Sequence, residues 1–332
     1  MIGTKGTQME HFSFDTAFRH FLNGKGPRGF MWKYILTYSL ALGAGYIVFF
    51  ALFFSGMTGQ MTNLIKLESS QQEPELQDIF GFILPFLLTI PLTMAFTLVF
   101  MSVFESMAQR FYIRGEGLSL RLGADELRVA AVFCIWSVLW LALTLAIMGV
   151  SLALIAPALI EALNSPTSAP PDIDPGPILL IFPLTIITGL VACFIGVRLS
   201  PAAAMTIRDR KVRFFSAWGA TKGRFWPMVG AFLVIYMIGY AIMMGAQIVT
   251  MPVMMGVMMS QGDRFVGMTE PDPEALFSAI SPMIFIMFGV MSLFGAVSSA
   301  FMQYGFAGVT SKAALTDPNW DQRGMESANI FD

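Results

Sequence analysis

Six apolar blocks, at 34–56, 79–104, 129–162, 177–200, 225–259 and 275–308, alternate with short polar connectors along the chain. A helix rising about 1.5 Å per residue needs about 20 apolar residues to cross a hydrocarbon core, and every block reaches that length. The pattern therefore predicts an all-α polytopic membrane helix bundle of six transmembrane helices. The third, fifth and sixth blocks are longer than a crossing requires, which predicts tilt, kinks or helical extensions, with Pro157, Pro252 and Pro282 interrupting the backbone hydrogen bonds.

A second pattern flanks the blocks. In residues 12–22, Phe14, Phe18, Phe21 and Leu22 share a helical face while Ser13, Asp15, Arg19 and His20 point elsewhere, the signature of an amphipathic interfacial helix. Before the fifth block, Val212, Phe215 and Trp218 recur at helical spacing among Arg208, Arg210, Lys211 and Arg213, which predicts a second such helix. The domain reading is a cytoplasmic segment 1–33, a six-span membrane domain 34–308 and a cytoplasmic tail 309–332.

Composition agrees with that reading. Of 332 residues 55% are hydrophobic and 13% charged, about half the charged share of an ordinary soluble domain. The first 33 residues are rich in charge and lack the apolar run of a signal peptide, so the first span is expected to stay in the mature protein. Cys134 and Cys193 lie inside apolar blocks, and no disulfide framework is expected.

Charge sets the expected orientation. Eighteen of the 20 lysines and arginines fall before the first block, on alternate connectors, or in the tail, and the other two are Lys66 and Arg264. Lysine and arginine are retained on the cytoplasmic side, so both termini are expected there. The acidic residues divide equally between the faces, so the net charge of −2 hides opposite charges on the two sides. The outer connectors differ in character. Residues 57–78 are rich in Gln and Glu, 163–176 reads as a stiff proline-rich loop, and 260–274 is acidic.

An internal pattern links the second and fourth blocks: Ser106, Ala108, Ile113 and Arg114 match Ser200, Ala202, Ile207 and Arg208 at constant offset. Together with the recurring order of cytoplasmic helix, span, outer loop and returning span, this pictures three hairpin units. Ser200 is placed to cap a helix with Pro201 at its first position.

The stretch Val197–Val234 carries Arg198, Ser200 and Pro201 at a helix end, the basic run 208–213, Ala217 and Trp218. It continues with Thr221, Gly223, Arg224, Phe225 and Trp226 opening the next span. It resembles a signature of a bacterial membrane family that includes the membrane domains attached to glycerophosphodiester phosphodiesterases. Gly115–Arg128, GEGLSLRLGADELR, also resembles a motif of bacterial membrane proteins. The resemblance implies a bacterial inner-membrane location and carries no activity for the membrane part.

Chemistry is sparse. The two histidines, His11 and His20, lie in the N-terminal segment, so the phosphodiesterase machinery is absent, and no P-loop, GxSxG, HExxH or paired-cysteine motif occurs. The middles of the six blocks hold no ionisable residue, with Glu105 and Glu161 at their edges. A broken-helix site, using backbone groups freed near Pro85, Pro91, Pro183 or Pro252, is the alternative place to hold a solute. Met243, Met244, Met251, Met254, Met255, Met258, Met259 and Met268 cluster at the outer end of the fifth block. Thioethers bind Cu(I), but methionine is abundant here as an adaptable packing residue, so no cofactor and no metal are assigned. Gly289, Ser292, Gly295, Ala296, Ser298, Ser299 and Ala300, with Ala241 and Gly245, mark faces for close helix packing, within the chain or between copies.

The functional expectation is a non-enzymatic, lipid-associated accessory or scaffold module, with no catalytic residue. The alternative is a permease for a lipid-like or apolar solute. The candidate contacts for anionic lipid head groups or a partner protein are Arg198, Arg208, Arg210, Lys211, Arg213, Lys222 and Arg224. Nucleic acid is not an expected partner.

Overall fold

The computed structural model describes residues 12–24, 26–69, 76–164, 175–266 and 273–318. Among these, all regular structure is helical: α1 (Phe14–Leu22), α2 (Phe30–Ser69), α3 (Leu76–Arg114), α4 (Ala124–Asn164), α5 (Pro175–Leu199), α6 (Ala202–Asp209), α7 (Ala217–Ala220), α8 (Phe225–Val266) and α9 (Pro273–Leu315). Six helices are long and apolar enough to span a membrane, over Phe30–Leu52, Leu87–Arg114, Ala124–Pro157, Leu179–Asp209, Phe225–Pro252 and Gly289–Leu315. The chain is an all-α, multi-pass membrane bundle.

The helices outrun their apolar blocks. α2 continues through the Gln- and Thr-containing stretch to Ser69, and α8 continues to Val266, so much of two segments read as loops is helix. Hydropathy marks where a helix leaves the hydrocarbon, and polar side chains such as Gln60 and Lys66 have no reason to stop it there. Pro157, Pro183 and Pro252 sit inside unbroken helices, so no broken-helix site forms at Pro183 or Pro252. Most of the proline-rich connector and residues 267–272 of the acidic one lie outside the described residues.

α9 is the hub. It packs on α1, α2, α3 and α8, and 39% of its spanning window is buried, against 0% for α4 and 6% for α5. α4 and α5 thus face outward almost all round, an arrangement that lipid solvates and water would not. The small-residue face does its work inside the chain. Ala296, Ser298 and Ala300 are buried, and the Ser298 hydroxyl donates to the Gly239 carbonyl at 2.7 Å. Gly239 is one place where α8 meets α9 closely, against Met302 and Ser298, while Gly245 has open space around it.

At the basic end of the bundle an aromatic core joins α2, α3 and α9. Phe30 stacks on Phe111 with centroids 4.0 Å apart, and Tyr34, Tyr38, Phe104, Tyr112 and Tyr304 surround that pair. Each well-oriented ring pair adds about 0.5–1.5 kcal/mol beyond its burial. α1 starts with a capping box, Ser13 and Thr16 bonding each other's backbone N–H. It buries Ala17 and Phe21 in the bundle, leaving Phe14 and Leu22 outside. The amphipathic helix therefore docks on protein, held by Tyr112 Oη donating to Phe21 O at 3.0 Å.

The second expected amphipathic helix does not form. α6 ends at Asp209, Arg210 takes a left-handed conformation (φ 52°), and helix resumes only over Ala217–Ala220. The spacing of Val212, Phe215 and Trp218 is satisfied by a turn that buries Phe214 instead. Ser200 is not a cap: its hydroxyl donates back to Val197 O at 2.9 Å, and Pro201 occupies the position before α6.

Candidate functional site

The motif at 115–128 is held by charge. Gly115 (φ 72°) ends α3 in the left-handed conformation, and Asp125 and Glu126 begin α4, where carboxylates favour a helix N-terminus. Arg110 pairs with Glu126, both side chains 1% exposed, and with Glu116 at 3.3 Å. Arg114 reaches Asp125 at 2.7 Å and the carbonyl of Ile207 on α6 at 2.5 Å. Arg128 joins Asp125 at 3.0 Å, and Arg121 joins Glu116 at 3.2 Å. Four arginines that sequence counts only as topogenic charge thus hold the α3–α4 turn together, and one of them, Arg114, ties it to α6.

A similar device closes α9. The last carbonyls of a helix lack partners and carry partial negative charge. Arg208 donates to Ala314 O and pairs with Asp209 and Asp317. Arg224 donates to Ala313 O at 3.3 Å, to Thr316 Oγ1 at 3.0 Å and to Thr316 O, with its guanidinium over the Phe12 ring. Burial pushes the Arg224 guanidinium down from its ordinary value while Asp317 opposes the shift. Of the seven cations expected to contact lipid or partner, Arg208 and Arg224 are therefore committed to the chain itself.

Arg198 has a different setting. Its guanidinium lies over three rings, Phe194 at 5.4 Å, Trp218 at 5.5 Å and Phe225 at 5.8 Å, and Nε has no hydrogen-bond partner. It borders a recess of about 550 Å³ with Leu190, Gly223 and Trp226. Arg210, Lys211, Arg213 and Lys222 are exposed nearby in the chain, with Arg213 also 3.4 Å from Asp209. Phe215 and Trp226 are exposed as well, so this end presents cations and aromatics together, the mixture found at membrane interfaces.

A second cavity was not apparent from the sequence. A groove of about 870 Å³ runs between the α4–α5 hairpin and α2, α3, α8 and α9, within the size range of small-molecule sites. Phe133, Trp136 and Trp140 of α4 line one side, Phe232 of α8 and Met302 and Phe306 of α9 another. Gly189 and Gly196 leave the α5 wall bare, with nothing within 4 Å of where their Cβ atoms would stand.

Polar atoms gather on one stretch of this apolar lining. Glu105 accepts from Gln109 Nε2 at 2.7 Å and from Gln303 Nε2 at 3.3 Å, and Gln109 also donates to Thr310 Oγ1 at 2.9 Å. Glu105, Gln303 and Thr310 all border the groove. Sequence reading set Glu105 aside as an edge residue, whereas the span Leu87–Arg114 encloses it. An ionisable residue inside a span, with Gln109 one turn on, was the available signal. Gln303, nearly 200 residues away, is brought to it only by the packing of α9 on α3.

At the outer end of α8, Met251, Met255 and Met259 are exposed four residues apart. Met268 lies outside the described residues. Among the described residues no group of three His, Cys, Asp or Glu side chains is placed to hold a metal. Cys134 and Cys193 are free thiols.

In comparisons with known proteins, no family model, no curated protein and no solved structure matches this chain.

Proposed function

We propose that this chain is a lipid-associated protein of a bacterial inner membrane, with both termini cytoplasmic, that binds a lipid-like or apolar solute in its inter-helical groove as a permease. The groove carries this reading: about 870 Å³ of largely apolar space with its hydrogen-bonding groups gathered around Glu105 and Gln303. Small-molecule sites have that composition, a wide apolar lining with a few convergent polar groups that orient the ligand.

The test is mass spectrometry of the lipids and apolar solutes that co-purify in mild detergent. Wild type is compared with Gly196→Trp and with an unrelated six-span protein. One species enriched with the wild type and lost from Gly196→Trp is expected. Profiles that match the control overturn the reading.

A second reading, an accessory or scaffold module, draws on the exposed cations and aromatics Lys211, Arg213, Lys222, Phe215 and Trp226. It supplies the rim contact with anionic head groups or a partner protein, each basic residue adding about 1 kcal/mol near an anionic leaflet. Resemblance to the membrane domains attached to glycerophosphodiester phosphodiesterases supports a setting among phospholipids.

A further inference from the structure

The hydrogen-bonding groups of the groove are unevenly divided between acceptors and donors. Glu105 contributes a carboxylate that is partly exposed at the groove. Its hydrogen bonds come from two neutral amides, and no lysine or arginine is among the described residues lining the groove. The nearest arginines along α3 are engaged elsewhere, Arg110 by Glu126 and Glu116, Arg114 by Asp125.

The amides add acceptors. Gln303 is 8% exposed, and its Oε1 has no hydrogen-bond partner, nor has Gln109 Oε1 behind it. Two of the hydroxyl donors are engaged within their own helices or turns: Ser200 Oγ donates to Val197 O at 2.9 Å and Thr310 Oγ1 to Ala307 O at 3.2 Å. An anionic head group entering here would meet the Glu105 carboxylate and, among the described lining residues, no cation, with only neutral donors such as the Ser299 hydroxyl and the Trp136 and Trp140 indoles to offset it. A carboxylate in a low-dielectric space is stabilised by a positive charge brought within about 4–6 Å. Ring faces attract cations for the same electrostatic reason, and Phe133, Trp136, Phe232 and Phe306 wall the groove.

We infer that the groove takes an amphiphile whose polar end is a protonated amine. Its ammonium N–H groups donate to the Glu105 carboxylate, and its apolar body lies along the aromatic walls toward Trp140. The inference rests on reading the groove as a solute site and adds the charge of the solute.

The experiment uses the full chain in nanodiscs of neutral lipid and tritiated dodecylamine in a scintillation proximity assay. Unlabelled dodecylamine, dodecanol and dodecanoate compete against it. Dodecylamine should compete about tenfold better than dodecanol, the scale of one hydrogen bond to a charged group, and dodecanoate should be weakest. Glu105→Gln should lose that preference while dodecanol still competes, and Glu105→Asp should keep it. If Glu105→Gln does not elute as a monodisperse protein, the wild-type ranking and Glu105→Asp still decide. Equal competition by dodecylamine and dodecanol in the wild type overturns the amine assignment alone. No saturable binding, or binding unchanged by Ala192→Trp in the groove wall, overturns the solute site and the amine assignment with it.

Discussion

Arg110 and Glu126 meet with side chains 1% exposed, so neither has water to fall back on if the other is removed. Breaking a buried pair costs about 3–5 kcal/mol because a charge is left uncompensated, whereas replacing both partners by apolar residues is often close to neutral. Arg110→Ala or Glu126→Ala should therefore lower the thermal unfolding midpoint in detergent sharply, while the Arg110→Met, Glu126→Leu double variant recovers most of it. Equal losses in single and double variants would show that the pair's geometry, rather than charge balance, holds the turn. Lys211 and Lys222 offer the contrast: both are exposed, and their replacement by Gln should leave stability within about 0.5 kcal/mol of the wild type.

Among elements, α1 and α9 set the tightest demand. A Cβ built on Gly308 would stand 2.8 Å from the Phe21 Cα and 3.1 Å from its Cβ, so backbone of one helix lies against backbone of the other. No rotamer change relieves contact with a main-chain atom. Gly308→Leu should therefore expel α1 from the bundle, read as new protease cleavage after Arg19 with the six spans intact. Ser13→Ala removes one half of the capping box and should cost about 1 kcal/mol. Its expected signature is faster hydrogen exchange in α1 with no change in α9. The end of α9 depends on a loop, since Arg224 donates to Ala313 and Thr316. Arg224→Lys keeps the charge and loses the planar fork that serves several acceptors at once, so it should loosen residues 313–317 by the same exchange measurement.

For the whole molecule, the proposed orientation rests on the distribution of lysine and arginine. In a cysteine-free background, Lys211→Cys should resist a membrane-impermeant maleimide until the cells are permeabilised, and Thr167→Cys in the proline-rich connector should react at once. The reverse pattern would invert the proposed topology. Six spans, their places in the chain and the helical class were legible in the residues because hydropathy acts on each segment independently of its neighbours. Glu105 was visible too, as a charge beside an apolar block. Its importance was not, since the groove exists only where α4 and α5 stand away from α9. The basic run 208–213 misled for a related reason: the same charges suit a lipid surface, a carbonyl cap or an ion pair, and packing assigns Arg208 to the end of α9 while leaving Lys211 outside. That this chain enters a membrane, and where it crosses, can be read from the residues because solvation acts locally. Which polar groups meet cannot, because Glu105 and Gln303 come together through contacts between helices that no periodicity along the chain records.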